Sequence, residues 1–366
     1  MIGLQRITYT LILCFCPFNA VSFSQNTAAA KESYPIAAFG DFGEQDPSVQ
    51  LQVRDALLAI HDQTPFWRGF LLGDNFYPNG LTNVIDRQFV DKMVYPYSGL
   101  GIPFHAALGN HDHRGNIYAQ IQLSHHPSNP VLENGERLWQ MPDRIYQRQW
   151  TPHTGGPDLS IFVLDTEMAD PENPGNTASP PWEQQLSWLD QRLRECSSRW
   201  KIVIGHHPVR SDFQRTSCSP QWRKMRFDQL VKILRTHQVH LYLSGHDHSL
   251  QVLPLYTAAT TEGFQGLQII SGAAGSLHII KRYTHQNALY RSAPGQAGFM
   301  SLRIYKDTLQ ITPVVITPHG TKGYQLGDPI VMSATGQVIH PVSPHRPQTT
   351  SPQDQGQAPR KPRLSV

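Results

Sequence analysis

The segment Phe70-Leu71-Leu72-Gly73-Asp74-Asn75-Phe76-Tyr77 carries the strongest fold signal in the chain. Its apolar start predicts a short buried strand, and the Gly-Asp pair that follows predicts a sharp turn where that strand ends. In α/β proteins, ligands collect at the carboxyl ends of strands. The segment therefore predicts an α/β fold whose functional site is built from polar side chains at strand ends.

The same arrangement, an apolar run followed by a polar motif that contains glycine, occurs four more times along the chain. Residues 36–39 lead to Gly40-Asp41, 104–108 to Gly109-Asn110-His111, 202–204 to Gly205-His206-His207, and 239–243 to Ser244-Gly245-His246-Asp247-His248. Short apolar runs of this kind are typical of strands that are buried on both faces. We therefore expect five strand ends to contribute to one site.

Helical periodicity separates these runs and indicates the layers of the fold. Apolar residues recur at helical spacing in residues 49–60, 182–193 and 227–234. Late in the chain, residues 300–305 and 309–315, joined by Lys306-Asp307, predict a β-hairpin. We expect an α/β fold in which two packed sheets are flanked by helices, rather than a single doubly wound sheet.

The two ends of the chain differ from the middle. Residues 1–25 contain Arg6, a short apolar run and small residues at 20–22, a pattern that favours a secretory signal peptide over the alternative of an N-terminal membrane anchor. The protein is thus expected to be secreted or periplasmic. Residues 341–366 are rich in proline and contain no aromatic residue, which predicts a disordered tail. A catalytic domain is expected over residues 34–320.

Charge composition narrows the range of partners. The 31 basic and 28 acidic side chains give a formal net charge of +3, which does not favour binding to nucleic acid or to a membrane surface.

The strand-end motifs supply a set of candidate metal ligands that contains only oxygen and imidazole donors. Such donors suit iron, manganese or zinc. The set is too large for one catalytic ion with an open coordination position, but it suits two ions that share a carboxylate. Asp74 is the candidate bridge, because each of its oxygens can hold one metal. The seven ligands are Asp41, Asp74, Tyr77, Asn110, His206, His246 and His248.

These motifs resemble those of the purple acid phosphatases, which belong to the calcineurin-like metallophosphoesterases, and the tartrate-resistant type is the most similar. The resemblance rests on Asp41-Phe42-Gly43, Gly73-Asp74-Asn75-Phe76-Tyr77, Gly109-Asn110-His111-Asp112, Val203-Ile204-Gly205-His206 and Gly245-His246-Asp247-His248. It implies a four-layer α-β-β-α sandwich with two mixed sheets. It also implies Fe(III) bound by Asp41, Asp74, Tyr77 and His248, and a divalent Fe, Zn or Mn bound by Asp74, Asn110, His206 and His246.

The activity that the resemblance implies is hydrolysis of phosphate monoesters at acidic pH, by in-line attack of a metal-bound hydroxide on phosphorus. Phosphate esters such as phosphoproteins, nucleotides or aryl phosphates are the expected substrates, and a monomer is the expected state. Two alternatives remain: a phosphodiesterase or diphosphatase on the same scaffold, and an exported metal-binding protein without turnover.

Three further residues are candidates for catalysis. His111 directly follows the ligand Asn110, so we expect it to face the substrate and to stabilise the transition state or protonate the leaving group. Asp112 is expected to orient His111 or, alternatively, to cap the loop. Tartrate-resistant enzymes carry a second outer histidine several residues beyond the ligand at His206. This sequence departs from that pattern and instead has His207, which could be the second acid, a residue behind the ligands or a surface residue.

Overall fold

The computed structural model describes residues 33–151, 157–169, 181–212, 221–256, 263–277, 287–317 and 323–340. The expected signal peptide (1–25) and the expected disordered tail (341–366) lie outside the described residues and remain predictions. Among the helices in the described part, none is both long and apolar enough to cross a membrane.

The first sheet has nine strands among the described residues, and its centre is parallel. Strands β1 to β4 run parallel to one another, whereas the strands that extend the sheet beyond β1 are antiparallel. Numbered along the chain, the strands are β1 (Ser33–Phe39), β2 (Arg68–Leu71), β3 (Phe104–Ala106), β4 (Trp139–Gln140), β12 (Gly298–Tyr305), β13 (Thr308–Ile316), β14 (Tyr324–Leu326), β15 (Ile330–Ser333) and β16 (Val338–His340). Their order is β16-β15-β13-β12-β1-β2-β3-β4, with β14 also paired to β13.

The second sheet has seven strands in the described part of the chain. They are β5 (Tyr146–Trp150), β6 (Leu159–Val163), β7 (Trp200–Ile204), β8 (Leu241–Ser244), β9 (Leu250–Pro254), β10 (Leu267–Ser271) and β11 (Tyr290–Arg291). Their order is β11-β9-β10-β8-β7-β6-β5. Strands β6, β7, β8 and β10 are parallel to one another, whereas β9 pairs antiparallel with β10 and β11, and β5 pairs antiparallel with β6.

The helices form the outer layers. They are α1 (Ser48–Gln63), α2 (Tyr95–Tyr97), α3 (Ile117–Leu123), α4 (Trp182–Glu195) and α5 (Gln221–Thr236), and a π-helical turn at Val90–Val94 directly precedes α2. Helix α1 buries Val53, Ala56 and Leu57 in the same core as the first sheet. Helices α4 and α5 cover the second sheet and contact each other.

Both faces of the second sheet are covered, and successive side chains along its strands alternate between the two cores. On β6, Ile161 and Val163 belong to the core shared with the first sheet, whereas Phe162 belongs to the core under α4 and α5. On β8, Leu243 joins the shared core and Tyr242 joins the helix-covered one. Because successive side chains point to opposite faces of a strand, an almost entirely apolar run is required here.

The predicted fold class is confirmed: two mixed sheets pack against each other and are flanked by helices. The late hairpin is present as β12 and β13. The first sheet continues through β14, β15 and β16 to His340, past the expected domain boundary at residue 320. These three strands have three or four residues each, which is too short for a clear alternation signal in the sequence.

Core packing generates one stability prediction. Leu302 on β12 is fully buried, so Leu302→Ala is expected to lower the free energy of unfolding by about 2–5 kcal/mol through lost burial and a residual cavity. Leu326→Ala on β14 is the matched control, because Leu326 is 53% exposed and its truncation is expected to change stability by no more than ~0.5 kcal/mol. Urea unfolding of both variants measures the difference, and equal losses would contradict the assigned core.

Candidate metal centre

Five loops meet where the two sheets come together, and each begins at the end of a strand. The loops after β1, β2 and β3 come from the first sheet, and those after β7 and β8 come from the second. Asp41, Asp74 and His246 have φ values of 58°, 52° and 66°, which non-glycine residues seldom adopt. Backbone strain of this kind is found at sites where a side chain must be held in a particular direction.

Glycines in the motifs give the ligand side chains room. A Cβ atom at Gly109 would lie 2.2 Å from Asp74 Oδ1, and one at Gly245 would lie 2.3 Å from Asp41 Oδ2. Either contact is far inside van der Waals separation, so these positions require glycine. The recurrent glycine in the sequence motifs therefore has a packing cause.

One group of side chains, which we call the oxygen-rich group, consists of Asp41, Asp74, Tyr77 and His248. Tyr77 Oη lies 3.1 Å from Asp41 Oδ1, 3.0 Å from Asp74 Oδ2 and 3.4 Å from His248 Nε2. His248 Nε2 lies 3.2 Å from Asp41 Oδ1. The donor atoms of all four side chains thus converge on one point in the protein interior.

A second group, which we call the imidazole-rich group, consists of Asp74, Asn110, His206 and His246. Asn110 Oδ1 lies 3.2 Å from His206 Nε2 and 3.0 Å from His246 Nδ1, and the two imidazole nitrogens lie 3.2 Å apart. His206 Nε2 is also 3.4 Å from Asp74 Oδ2. The structure therefore brings together all seven side chains that the sequence identified as candidate ligands.

Asp74 belongs to both groups through a single oxygen. Its Oδ2 faces Tyr77 Oη on one side and His206 Nε2 on the other, whereas its Oδ1 accepts a hydrogen bond of 2.8 Å from the backbone N–H of His111. The expectation that each oxygen holds a different ion stays a prediction; among the protein groups that the structure describes, it is Oδ2 alone that faces both donor groups. The reason is the loop after β3, whose N–H occupies Oδ1 and leaves Oδ2 as the shared atom.

The charge of the site favours cations. Asp41 and Asp74 are 0% and 2% exposed, and a single hydroxyl proton on Tyr77 cannot serve both carboxylates. Burial raises the pKa of Asp74, but His206 and the N–H of His111 outweigh it and lower that pKa to about 2. Burial together with the two carboxylates raises the pKa of Tyr77 well above its ordinary value. A phenolate therefore forms at Tyr77 only where a metal cation compensates, and the donor set fits such a cation.

His206 is held in the tautomer that a metal ligand needs. Its Nδ1 lies 2.8 Å from the carbonyl oxygen of Leu72, which can only accept a hydrogen bond. Nδ1 therefore carries a proton, and Nε2 faces Asp74 and Asn110. Burial lowers the pKa of His206, but Asp74 and Asp41 outweigh it and raise that pKa to about 10, so a cation at Nε2 would take the place of a second proton. A backbone carbonyl behind a ligating imidazole is a common arrangement at metal sites.

Asp112 joins two ligand loops. Its buried carboxylate accepts hydrogen bonds from the backbone N–H groups of Asn75 at 3.1 Å, Phe76 at 3.3 Å and Gly109 at 2.9 Å, and from the side chain of Gln120 at 2.9 Å. Burial and the nearby Asp74 raise its pKa to about 6, against the effect of these donors. These contacts match the loop-capping alternative rather than orientation of His111.

The ring of His111 is positioned by other groups. Its Nδ1 lies 2.7 Å from the carbonyl oxygen of Pro78, and its ring packs on Tyr77 with a centroid separation of 4.2 Å. Since the carbonyl accepts, Nδ1 carries a proton and Nε2 is the nitrogen available for another partner. His111 is only partly buried, as are the candidate ligands Asn110 and His246.

His207 lies beside the imidazole-rich group and not on the surface. Its ring is 2% exposed and packs on His246 at a centroid distance of 4.3 Å. Its Nδ1 contacts Thr166 Oγ1 at 2.9 Å, and its Nε2 lies 3.4 Å from Glu167 Oε2. The surface alternative for His207 is therefore wrong, because the β6 loop folds over it.

Some contributors to the site escaped the sequence analysis. Gln120 supports Asp112 from α3. For Asp165, which follows the apolar run 161–164, the family resemblance implies a structural hydrogen bond rather than metal binding. Its partner, which the sequence did not show, is His113 at 2.8 Å, and this contact links the loops after β6 and β3. The Leu72 carbonyl fixes His206. A single glutamine or a backbone carbonyl leaves no motif in the sequence. Of these partners, only His113 lies in a recognisable motif, the polar run that follows Asn110.

Similarity to known proteins agrees with this geometry. A family model of calcineurin-like phosphoesterases matches residues 34–250. Tartrate-resistant acid phosphatase type 5 of Sus scrofa is 32% identical over 197 residues, covering 50% of this chain and 53% of that protein. Purple acid phosphatase 4 of Arabidopsis thaliana is 26% identical over 343 residues, covering 85% and 90%. The chain thus spans about half the length of the pig relative, and the predicted resemblance to this group is confirmed.

Solved structures support the fold alone. GAP50, the anchor in the inner membrane complex of Plasmodium, superposes with a TM-score of 0.62 at 19% identity, covering 81% of this chain and 89% of its own. A purple acid phosphatase from yellow lupin seeds superposes with a TM-score of 0.54 at 14% identity, covering 83% and 54%. Because the matching family model spans more than half of the chain and includes all five strand-end motifs, the chain belongs to the calcineurin-like phosphoesterase family.

Proposed function

We propose that the protein is a metal-dependent acid phosphatase that hydrolyses phosphate monoesters with two metal ions. The observation that carries the proposal is the shared Oδ2 atom of Asp74, which faces both donor groups at once. The oxygen-rich group would hold Fe(III), because it combines two carboxylates with a phenol. The imidazole-rich group would hold a divalent iron, zinc or manganese ion. When bound, the two cations would supply Lewis acidity toward the phosphate group and toward water.

The side chains of the protein have separate tasks in this reaction. Asp112 holds the loop that carries Asp74 in a fixed position relative to the loop that carries Asn110. His111 holds one proton at Nδ1 through the Pro78 carbonyl, so a second proton, at Nε2, is the one it can donate to a leaving alkoxide.

His207 is the candidate for a further contact near the leaving group. Its closeness to His246 supports a place at the edge of the imidazole-rich group, and Thr166 and Glu167 fix its ring. We assign it to orientation of the imidazole-rich ligands, with proton donation as the alternative.

Export to the periplasm or the cell exterior is the location proposed for this enzyme, on the basis of the first 25 residues of the sequence. The phosphodiesterase or diphosphatase reading uses the same metal ligands and differs in the substrate. The alternative of an exported metal-binding protein without turnover keeps the metal ligands but does not explain why His111 lies beside them.

Metal content and colour test the first part of the proposal. The purified protein is expected to contain two metal ions per chain and to show a violet band from Tyr77 phenolate bound to Fe(III). Tyr77→Phe removes the phenol oxygen and is expected to abolish that band. Tyr146→Phe is the control, because Tyr146 is also buried but its hydroxyl bonds to the Ala106 carbonyl. A colourless wild-type protein with only zinc or manganese would contradict the ferric assignment.

The role of His111 is tested by kinetics. His111→Ala is expected to lower kcat by about 100-fold or more, since a general acid contributes that much, while both metals and the visible band stay. His125→Ala serves as the control, because His125 is exposed. Steady-state rates on an aryl phosphate, with metal analysis of each variant, give the answer. Unchanged kinetics in His111→Ala would remove this residue from the mechanism.

Substrate class is tested with paired aryl esters. The wild-type enzyme is expected to hydrolyse an aryl phosphate monoester faster than the corresponding bis-aryl diester at acidic pH. Comparison of kcat/KM for the two decides between the leading proposal and the phosphodiesterase. Absence of turnover on both, in protein that carries its two metals, would favour the exported binding protein.

A further inference from the structure

Lys92 makes three short hydrogen bonds between loops of the site, and neither motif analysis nor ligand chemistry accounts for it. Its Nζ lies 2.8 Å from the Gly43 carbonyl, 2.7 Å from the Tyr77 carbonyl and 2.9 Å from Gln88 Oε1. An ammonium group has three N–H donors, so these contacts satisfy it completely. Two of its partners are backbone atoms in the loops that carry Asp41 and Tyr77.

The two loops that Lys92 joins are already in contact. The backbone N–H of Tyr77 donates to the same Gly43 carbonyl at 2.9 Å. A Cβ atom at Gly43 would lie 1.9 Å from the Asn75 carbonyl oxygen, so the loops approach as closely as their backbones allow. Lys92 therefore adds a charged donor at a junction where small displacements would move the Tyr77 phenol relative to Asp41.

Lys92 is itself held in place at its backbone. It lies in the π-helical turn Val90–Val94, and its carbonyl accepts a 2.7 Å hydrogen bond from Gln50 Nε2 on α1. Gln50 is 1% exposed, and α1 begins shortly after the Asp41 loop. π-helical turns are rare and are frequently found at functional sites. The lysine is thus anchored through both its main chain and its side chain.

We propose that Lys92 is a positioning residue for the oxygen-rich group, which it stabilises by clamping the Tyr77 loop to the Asp41 loop. The inference rests on the proposed two-metal function. It concerns mainly the oxygen-rich group, because both loops that Lys92 joins carry ligands of that group, whereas the imidazole-rich group shares only Asp74 with them. Loss of such supporting contacts typically weakens metal binding by about 10–100-fold.

The test compares two half-buried lysines that both donate to backbone carbonyls. Lys92→Met keeps the length of the side chain and removes its donors. Lys201→Met is the matched control, since Lys201 Nζ bonds to the His237 carbonyl at 2.7 Å and Lys201 lies at the start of β7, at the strand end opposite to the site. Each metal-stripped full-length variant is titrated with Zn²⁺ by calorimetry, and each is separately loaded with iron to record the visible band.

Lys92→Met is expected to weaken one of the two Zn²⁺ binding events by about tenfold or more and to shift or reduce the tyrosinate band, while the affinity of the other event, which shares only Asp74 with the clamped loop, changes less. Lys201→Met is expected to match wild type in both. Lys92→Arg keeps a cationic donor and is expected to recover most of the band. If Lys92→Met does not fold, Lys92→Gln is assessed by the same two readouts.

Two Zn²⁺ events of wild-type affinity with an unaltered band in Lys92→Met would overturn the inference, as would equal weakening of both events. Failure of the proposed function looks different, because the wild-type protein itself would then bind fewer than two ions or lack the band.

Discussion

Two buried carboxylates, Asp41 and Asp74, impose the constraint on which the rest of the site depends. Negative charge taken out of water is costly unless positive charge and hydrogen bonds compensate for it. Each carboxylate uses one oxygen for a backbone N–H, from His246 and from His111, and keeps the other for the interior of the site. The inward oxygens therefore define where cations would bind, and the other candidate donors are arranged around them.

The two sheets contribute different parts of this arrangement. The first sheet supplies Asp41, Asp74, Tyr77 and Asn110 and therefore all the oxygen ligands, whereas the second supplies the three imidazoles of His206, His246 and His248. Neither sheet has a complete donor set, so the packing of one sheet on the other sets the distances between ligands. Metal binding should in turn stabilise the sheet interface, because ions bind the assembled site and not the separated loops.

Much of the fold and of the candidate site could be predicted from the sequence, because burial and close packing each restrict which residue types can occur. A parallel strand that is buried on both faces needs an apolar run. A ligand at the turn after such a strand needs a glycine beside it. The strand and the ligand together therefore give a recognisable sequence pattern, an apolar run followed by a glycine and a polar residue. That pattern predicted the fold, and it predicted seven donor side chains that the structure places close together. It could not show that Asp74 uses one oxygen for both groups, because the position of the His111 N–H depends on the packing of the β3 loop. Nor could it reveal β14 to β16, which are too short to show a period.

Several of the contacts that the sequence did not reveal have backbone atoms as partners. Asp112 binds N–H groups of two loops, the Leu72 carbonyl fixes the His206 tautomer, and Lys92 binds two carbonyls. Every residue has backbone groups, so a side chain that binds a backbone group does not require a particular residue type at its partner position. Such a contact therefore leaves no pair of matching residues in the sequence. Function within this family is carried by the donor set rather than by the fold. The residues that hold the donors in place leave no motif of their own, so they become visible only once the loops are seen together.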